Sequence, residues 1–60
     1  MIEYMVMLRM RAGEDDVMDV EYSGVPHIYV KDAVDELLGA MAYIAGDQNF
    51  IEAYIEKVEV

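Results

Sequence analysis

Along the first eleven residues apolar and polar positions alternate. Ile2, Tyr4, Val6, Leu8 and Met10 form one set, and Glu3, Met5, Met7, Arg9 and Arg11 the other. A period of two predicts a strand with one wholly apolar face. The opposite face is only half polar, because Met5 and Met7 stand on it. Residues 12–16, Ala-Gly-Glu-Asp-Asp, are turn formers. Beyond them Met18, Val20 and Tyr22 alternate with Val17, Asp19 and Glu21, which predicts a second strand antiparallel to the first. Ser23 and Gly24 interrupt it, and Pro26 cannot donate to a ladder, so this stretch belongs at a sheet edge or bulge. Residues 27–30 are a candidate continuation past the irregularity.

The period then changes. Val34, Leu37, Leu38, Met41, Ile44 and Ala45 recur at helical spacing. Asp32 reads as the N-cap, Asp35 loosely imitates a capping box, and Gly46 stands where a helix end favours a left-handed residue. The expectation is one amphipathic helix over 33–45. The last segment, 50–60, supports two readings. As a strand, Ile51, Ala53 and Ile55 face one way and Glu52, Tyr54 and Glu56 the other. As a helix, Phe50, Ile51, Tyr54, Ile55 and Val58 form a stripe capped by Asn49 and Glu52. The strand is preferred, because a two-stranded hairpin needs a third strand. The alternative is a hairpin followed by two helices.

The resulting α+β layout is strand, strand, helix, strand, with the helix on one face of a three-stranded antiparallel sheet. The expected core is Tyr4, Val6, Leu8, Val20, Val34, Leu37, Leu38, Met41, Ile44, Ile51 and Ile55. The far face would carry Met5, Met7, Val17 and Tyr54 among charges, an apolar strip of the kind that marks an interface.

Sixty residues form one domain, 1–60, and a chain this short buries only about 60% of its unfolded surface. Its apolar content of 57% excludes a disordered acidic tail and exceeds what one small core can hold, so self-association, as a homodimer, is expected. Cysteine is absent, which removes disulfides and thiolate metal sites and fits a reducing compartment. Met1 to Leu8 is interrupted by Glu3 and followed by Arg9, the wrong order for a secretion signal, and no apolar run approaches a membrane span. The expected location is the cytoplasm.

Thirteen acidic residues stand against Arg9, Arg11, Lys31 and Lys57, for a net charge of −9. Direct binding to nucleic acid or to an anionic membrane needs clustered Lys and Arg, and is not expected. A basic protein partner is favoured by long-range attraction. The plainer reading is that the charge keeps an apolar chain soluble.

The catalytic inventory is nearly empty. Ser23 is the only serine and His27 the only histidine, and no nucleophile elbow or Gly-rich phosphate loop surrounds them. No enzyme activity and no cofactor are expected. Glu14, Asp15 and Asp16 are adjacent carboxylates without the alternate ligands and central Gly of a calcium loop, and the methionines of the first strand divide between two faces. No metal is expected.

The carboxylates carry the sharper hypothesis. Asp19 and Glu21 point the same way on one strand, about 6.6–6.8 Å apart. Glu52 and Glu56 share a face of the last strand with Tyr54 between them. Phosphates advance about 3.4 Å per step along a nucleic-acid strand. Carboxylates on alternate residues therefore approximate alternate phosphates. The expected partner-binding residues are Glu14, Asp15, Asp16, Asp19, Glu21, Asp35, Glu36, Glu52, Tyr54 and Glu56. The plainer reading is an ordinary acidic face. For self-association the expected contacts are Met5, Met7, Gly39 and Tyr43. Gly39 in mid-helix costs about 1 kcal/mol relative to alanine, which close approach of another backbone would explain.

Four segments together resemble the very short acidic inhibitors that bacteriophages make early in infection. They are Glu3-Tyr4-Met5-Val6-Met7-Leu8, Asp19-Val20-Glu21-Tyr22, Lys31-Asp32-Ala33-Val34-Asp35-Glu36-Leu37-Leu38 and Ile55-Glu56-Lys57-Val58. The likeness lies in spacing and character and spans nearly the whole chain, and no contact residue carries over. Phage inhibitors of uracil-DNA glycosylase and of bacterial RNA polymerase share such a strand-strand-helix-strand plan, and some anti-CRISPR proteins are similar in size and acidity. The resemblance implies a phage or mobile-element protein that occludes a basic, nucleic-acid-binding surface of a host defence or DNA-processing protein, as a DNA mimic. The alternative is a self-associating structural or scaffold domain without inhibitory activity.

Overall fold

The computed structural model describes all residues from Met1 to Val60. Strand β1 (Ile2–Arg11) and strand β2 (Val17–Glu21) are followed by helix α1 (Val30–Ile44) and strand β3 (Phe50–Glu59). The strands form one antiparallel sheet in the order β2-β1-β3, with β1 central. The α+β plan of strand, strand, helix, strand is the one expected, and 50–60 resolves to a strand. The irregularity after β2 shrinks the expected continuation to one bridge, Tyr4 with His27, before the helix begins. Gly24 makes that irregularity possible: its φ of 77° is the only positive value in the chain.

The central position of β1 explains its methionines. Met5, Val6, Met7 and Leu8 are all buried, so the strand is covered on both faces and needs apolar residues on both. Val6 and Leu8 point toward the helix, where Ala33 and Ala40 meet them, with Tyr4, Met10, Val20, Leu37, Ile44, Phe50, Ala53 and Ile55 around the margin.

The helix departs from expectation at both ends and in its rotation. It starts at Val30, ahead of Asp32, because the Asp32 and Ala33 N–H groups bond the Tyr29 carbonyl at 3.1 and 3.3 Å. Tyr29 is the N-cap, without a side-chain bond, and Asp32 lies in the first turn, where its charge still meets the helix dipole. At the other end Ala45 is right-handed and Gly46 does not have positive φ. The chain turns instead through Asp47, whose carboxylate accepts from the Asn49 N–H at 2.8 Å.

The stripe against the sheet is Ala33, Leu37, Ala40 and Ile44. Val34, Leu38 and Met41, expected in the core, lie one step round the helix and are exposed, Leu38 by 60%. Two alanines let the backbone approach the sheet closely, and larger side chains there would hold it away. Ile51 is also corrected from core to surface. The register shifts from Arg9↔Glu52 to Met10↔Phe50, leaving Ile51 unpaired in a bulge.

Candidate functional site

The register decides what the open face of the sheet, opposite α1, displays. In β1 the odd residues face outward there, and their partners are Glu21 and Asp19 on β2 and Val58, Glu56, Tyr54 and Glu52 on β3. The open face therefore carries Glu3, Asp19, Glu21, Glu52 and Glu56, with Arg9 between Asp19 and Glu52.

Arg9 grips Asp19 with two bonds, Nε to Oδ1 at 2.9 Å and Nη2 to Oδ2 at 3.2 Å, and reaches Glu52 Oε1 through Nη1 at 2.8 Å. The Tyr54 hydroxyl donates to Asp19 Oδ2 at 2.8 Å. Because β2 and β3 are two strand spacings apart, about 9.5 Å, the Tyr54 side chain has to cross β1 to make that bond. Its ring passes beside Arg9, with 5.3 Å from guanidinium carbon to ring centroid, a cation–π distance. A tyrosine laid over the central strand also accounts for the burial of Met7, its cross-strand neighbour.

Each group alters the others. The Arg9 guanidinium, and secondly the Tyr54 hydroxyl, hold the Asp19 carboxyl below the usual carboxylate range. The bond to Asp19 raises Tyr54 above the usual phenol value, and Asp19 raises Arg9 further. Asp19 and Glu52 are thus already engaged, and the carboxylates of Glu3, Glu21 and Glu56 carry the unpaired negative charge of this face.

The other expected contact residues lie elsewhere. Glu14, Asp15 and Asp16 are exposed at the β1–β2 turn, which the Ala12 N–H to Asp16 carbonyl bond closes at 3.0 Å. Asp35 is exposed on α1 and Glu36 is half-buried, both on the helix layer. Glu36 accepts from the Ser23 hydroxyl at 3.2 Å, and His27 Nε2 lies 3.3 Å away without the alignment of a hydrogen bond. The acidic residues expected to bind a partner therefore form three separate groups: the open face, the turn and the helix. Of the expected self-association contacts, Met5 and Met7 are buried at 7% and 8% exposure within the protomer's own sheet. Tyr43 is exposed, and Gly39 has no atom within 4 Å of where a Cβ would stand.

Sequence reasoning noted Arg9 as a cation and missed its role. The signal was present in the alternation, which puts Arg9 on the same face as Asp19 and Glu52. The register that sets them side by side was not. No group of three or more His, Asp or Glu side chains could hold a metal ion, the surface has no pocket, and no helix is long and apolar enough to cross a membrane. Comparison with protein-family models, with curated proteins and with solved structures gives no match.

Proposed function

We propose that the chain is an inhibitor encoded by a phage or mobile element, which binds a basic, nucleic-acid-binding surface of a host defence or DNA-processing protein in the host cytoplasm. The observation that supports this reading is the gathering of Glu3, Asp19, Glu21, Glu52 and Glu56 on the open sheet face by the strand register. Asp19 and Glu21, two residues apart on β2, stand about 6.6–6.8 Å apart, close to twice the phosphate step of about 3.4 Å. Bonds to Arg9 orient Asp19 and Glu52, and an ordered array loses less entropy on binding than mobile side chains do. The flat face suits a protein surface better than a small molecule.

The experiment is affinity capture from host lysate at low and high salt, with oligonucleotide as competitor, using the wild type and a Glu21→Lys/Glu56→Lys variant that leaves the Arg9 network intact. The expected result is a basic nucleic-acid-handling protein that is released by salt, displaced by oligonucleotide and lost with the variant. Capture indifferent to salt and competitor, or equal for both proteins, defeats the proposal. A second reading, a self-associating structural domain without inhibitory activity, draws on the exposed apolar flank of α1. Under it the charge-reversed variant retains all function.

A further inference from the structure

We propose that two copies of the chain pair through their β3 edges, antiparallel about a twofold axis at Ile55, with the Val34, Leu38 and Met41 flanks of the two helices packed together across that axis. The proposal stands apart from the inhibitor reading and rests on four observations.

The β3 edge is open. The Tyr4 N–H bonds the His27 carbonyl, the His27 N–H bonds the Tyr4 carbonyl, and the Tyr22 N–H bonds the Val6 carbonyl, so even residues of β1 bond toward the β2 side. By the alternation of an antiparallel ladder, odd residues of β1 bond toward β3. Their partners there are Glu52, Tyr54, Glu56 and Val58. The N–H and C=O groups of Ala53, Ile55 and Lys57 therefore point away from the sheet and have no strand to pair with. The other edge is blunted: β2 is half as long and runs into Ser23, Gly24 and Pro26. β3 contains neither Gly nor Pro, and its bulge at Ile51 leaves the rest of the strand regular.

The apolar flank of α1 lies on the same side. Glu36, on the opposite flank, meets Ser23 and His27 near the β2 side of the sheet. Val34, Leu38 and Met41 consequently face the β3 side, where they remain 39%, 60% and 42% exposed in the protomer.

The spacing suits a second copy. The helix packs on β1 and β3 about equally and not on β2, so its axis runs over the gap between them. With strands about 4.8 Å apart, a twofold between β3 and its mate puts the two helix axes about 10 Å apart. This agrees with the 8–10 Å of packed helices.

The charges select the register. With Ile55 opposite Ile55, Ala53 faces Lys57, Tyr54 faces Glu56 and Glu52 faces Val58, and no like charges stand directly opposite. One step in one direction sets Glu56 against Glu56. One step in the other sets Glu52 against Glu56.

The test is sedimentation equilibrium over a range of concentration, with amide hydrogen exchange on the unmodified chain. The expected mass is twice the 6.8 kDa of the chain. The amides of Ala53, Ile55 and Lys57, which make no bond in a protomer, should become protected as concentration rises. Leu38→Glu removes the helix contact, and Lys57→Pro removes an outward N–H that the protomer does not use. Either should return the chain to monomer with its circular dichroism unchanged, whereas Gly39→Ala and Tyr43→Ala should leave the dimer intact. Because each copy carries −9, added salt should tighten the dimer, the opposite of its effect on a basic partner, so the two proposals fail separately. A monomer at all concentrations, unprotected Ile55 and Lys57 amides, or a dimer that survives both Leu38→Glu and Lys57→Pro in folded protein overturns the proposal.

Discussion

The Tyr54 hydroxyl donates to Asp19 across the full width of the sheet, at 2.8 Å, and so joins the two outer strands over the central one. Backbone ladders connect each outer strand only to β1. This side-chain bond, with the Arg9 guanidinium against the Tyr54 ring, is the tie between the edges on the open face. In a chain whose single helix covers only the other face, it does part of the work of a missing layer.

The tie makes stability depend on pH at both extremes. Asp19 is held below its ordinary range, chiefly by Arg9 and then by Tyr54. Its contribution should be complete above the unfolded carboxylate value and should vanish as pH falls through the lower folded value. Tyr54 is raised by its bond to Asp19. That contribution should be complete below the usual tyrosine value of about 10 and vanish as pH rises through the higher folded one. Chemical denaturation across pH should show Asp19→Asn converging with the wild type in acid, and Tyr54→Phe converging with it in alkali.

Arg9 separates two carboxylates that would otherwise face each other across β1. Replacing it with Met should lower the unfolding midpoint, and added salt should recover much of the loss by screening Asp19 from Glu52. A midpoint in Arg9→Met that does not respond to salt would show that the guanidinium acts through packing alone.

The core is small, so single truncations should be severe. Leu8→Ala, at a buried central-strand position, should cost roughly 2–5 kcal/mol. A domain of this size has only about 3–5 kcal/mol from its core, and the variant should be largely unfolded by circular dichroism unless a partner stabilises it. Ala40→Leu should cost about 1–3 kcal/mol for the opposite reason, since the helix lies too close to the sheet for a larger side chain.

Two glycines should respond in opposite directions. Gly39 has open space where a Cβ would stand, and alanine there should stabilise the chain by about 1 kcal/mol. Gly24, with φ at 77°, should lose about 1–2 kcal/mol on the same change. Urea unfolding of the two variants checks both. If Gly39→Ala destabilised the assembled protein, another backbone would have to approach the helix there, on the flank away from β3.

Periodicity in the sequence was sufficient for the first three elements. Ile2 to Met10 and Met18 to Tyr22 alternate, Val34 to Ile44 repeat at helical spacing, and both patterns appear where they were expected. These are local properties, set by how successive side chains project from a strand or a helix. The closing segment was ambiguous locally, because its residues fit a stripe as well as an alternation. The need of a two-stranded hairpin for a third strand decided it, and β3 fills the second edge of β1.

Tertiary structure alone decided three further matters. Which of two apolar stripes of α1 faces the sheet depended on how closely Ala33 and Ala40 let the helix approach, a matter of volume and not of hydrophobicity. The grouping of Asp19, Glu52 and Tyr54 around Arg9 depended on register, which long-range pairing fixes and no short window contains. The division of most of the carboxylates among a sheet face, a turn and a helix followed from the same packing, because net charge is a sum over the chain and carries no positions.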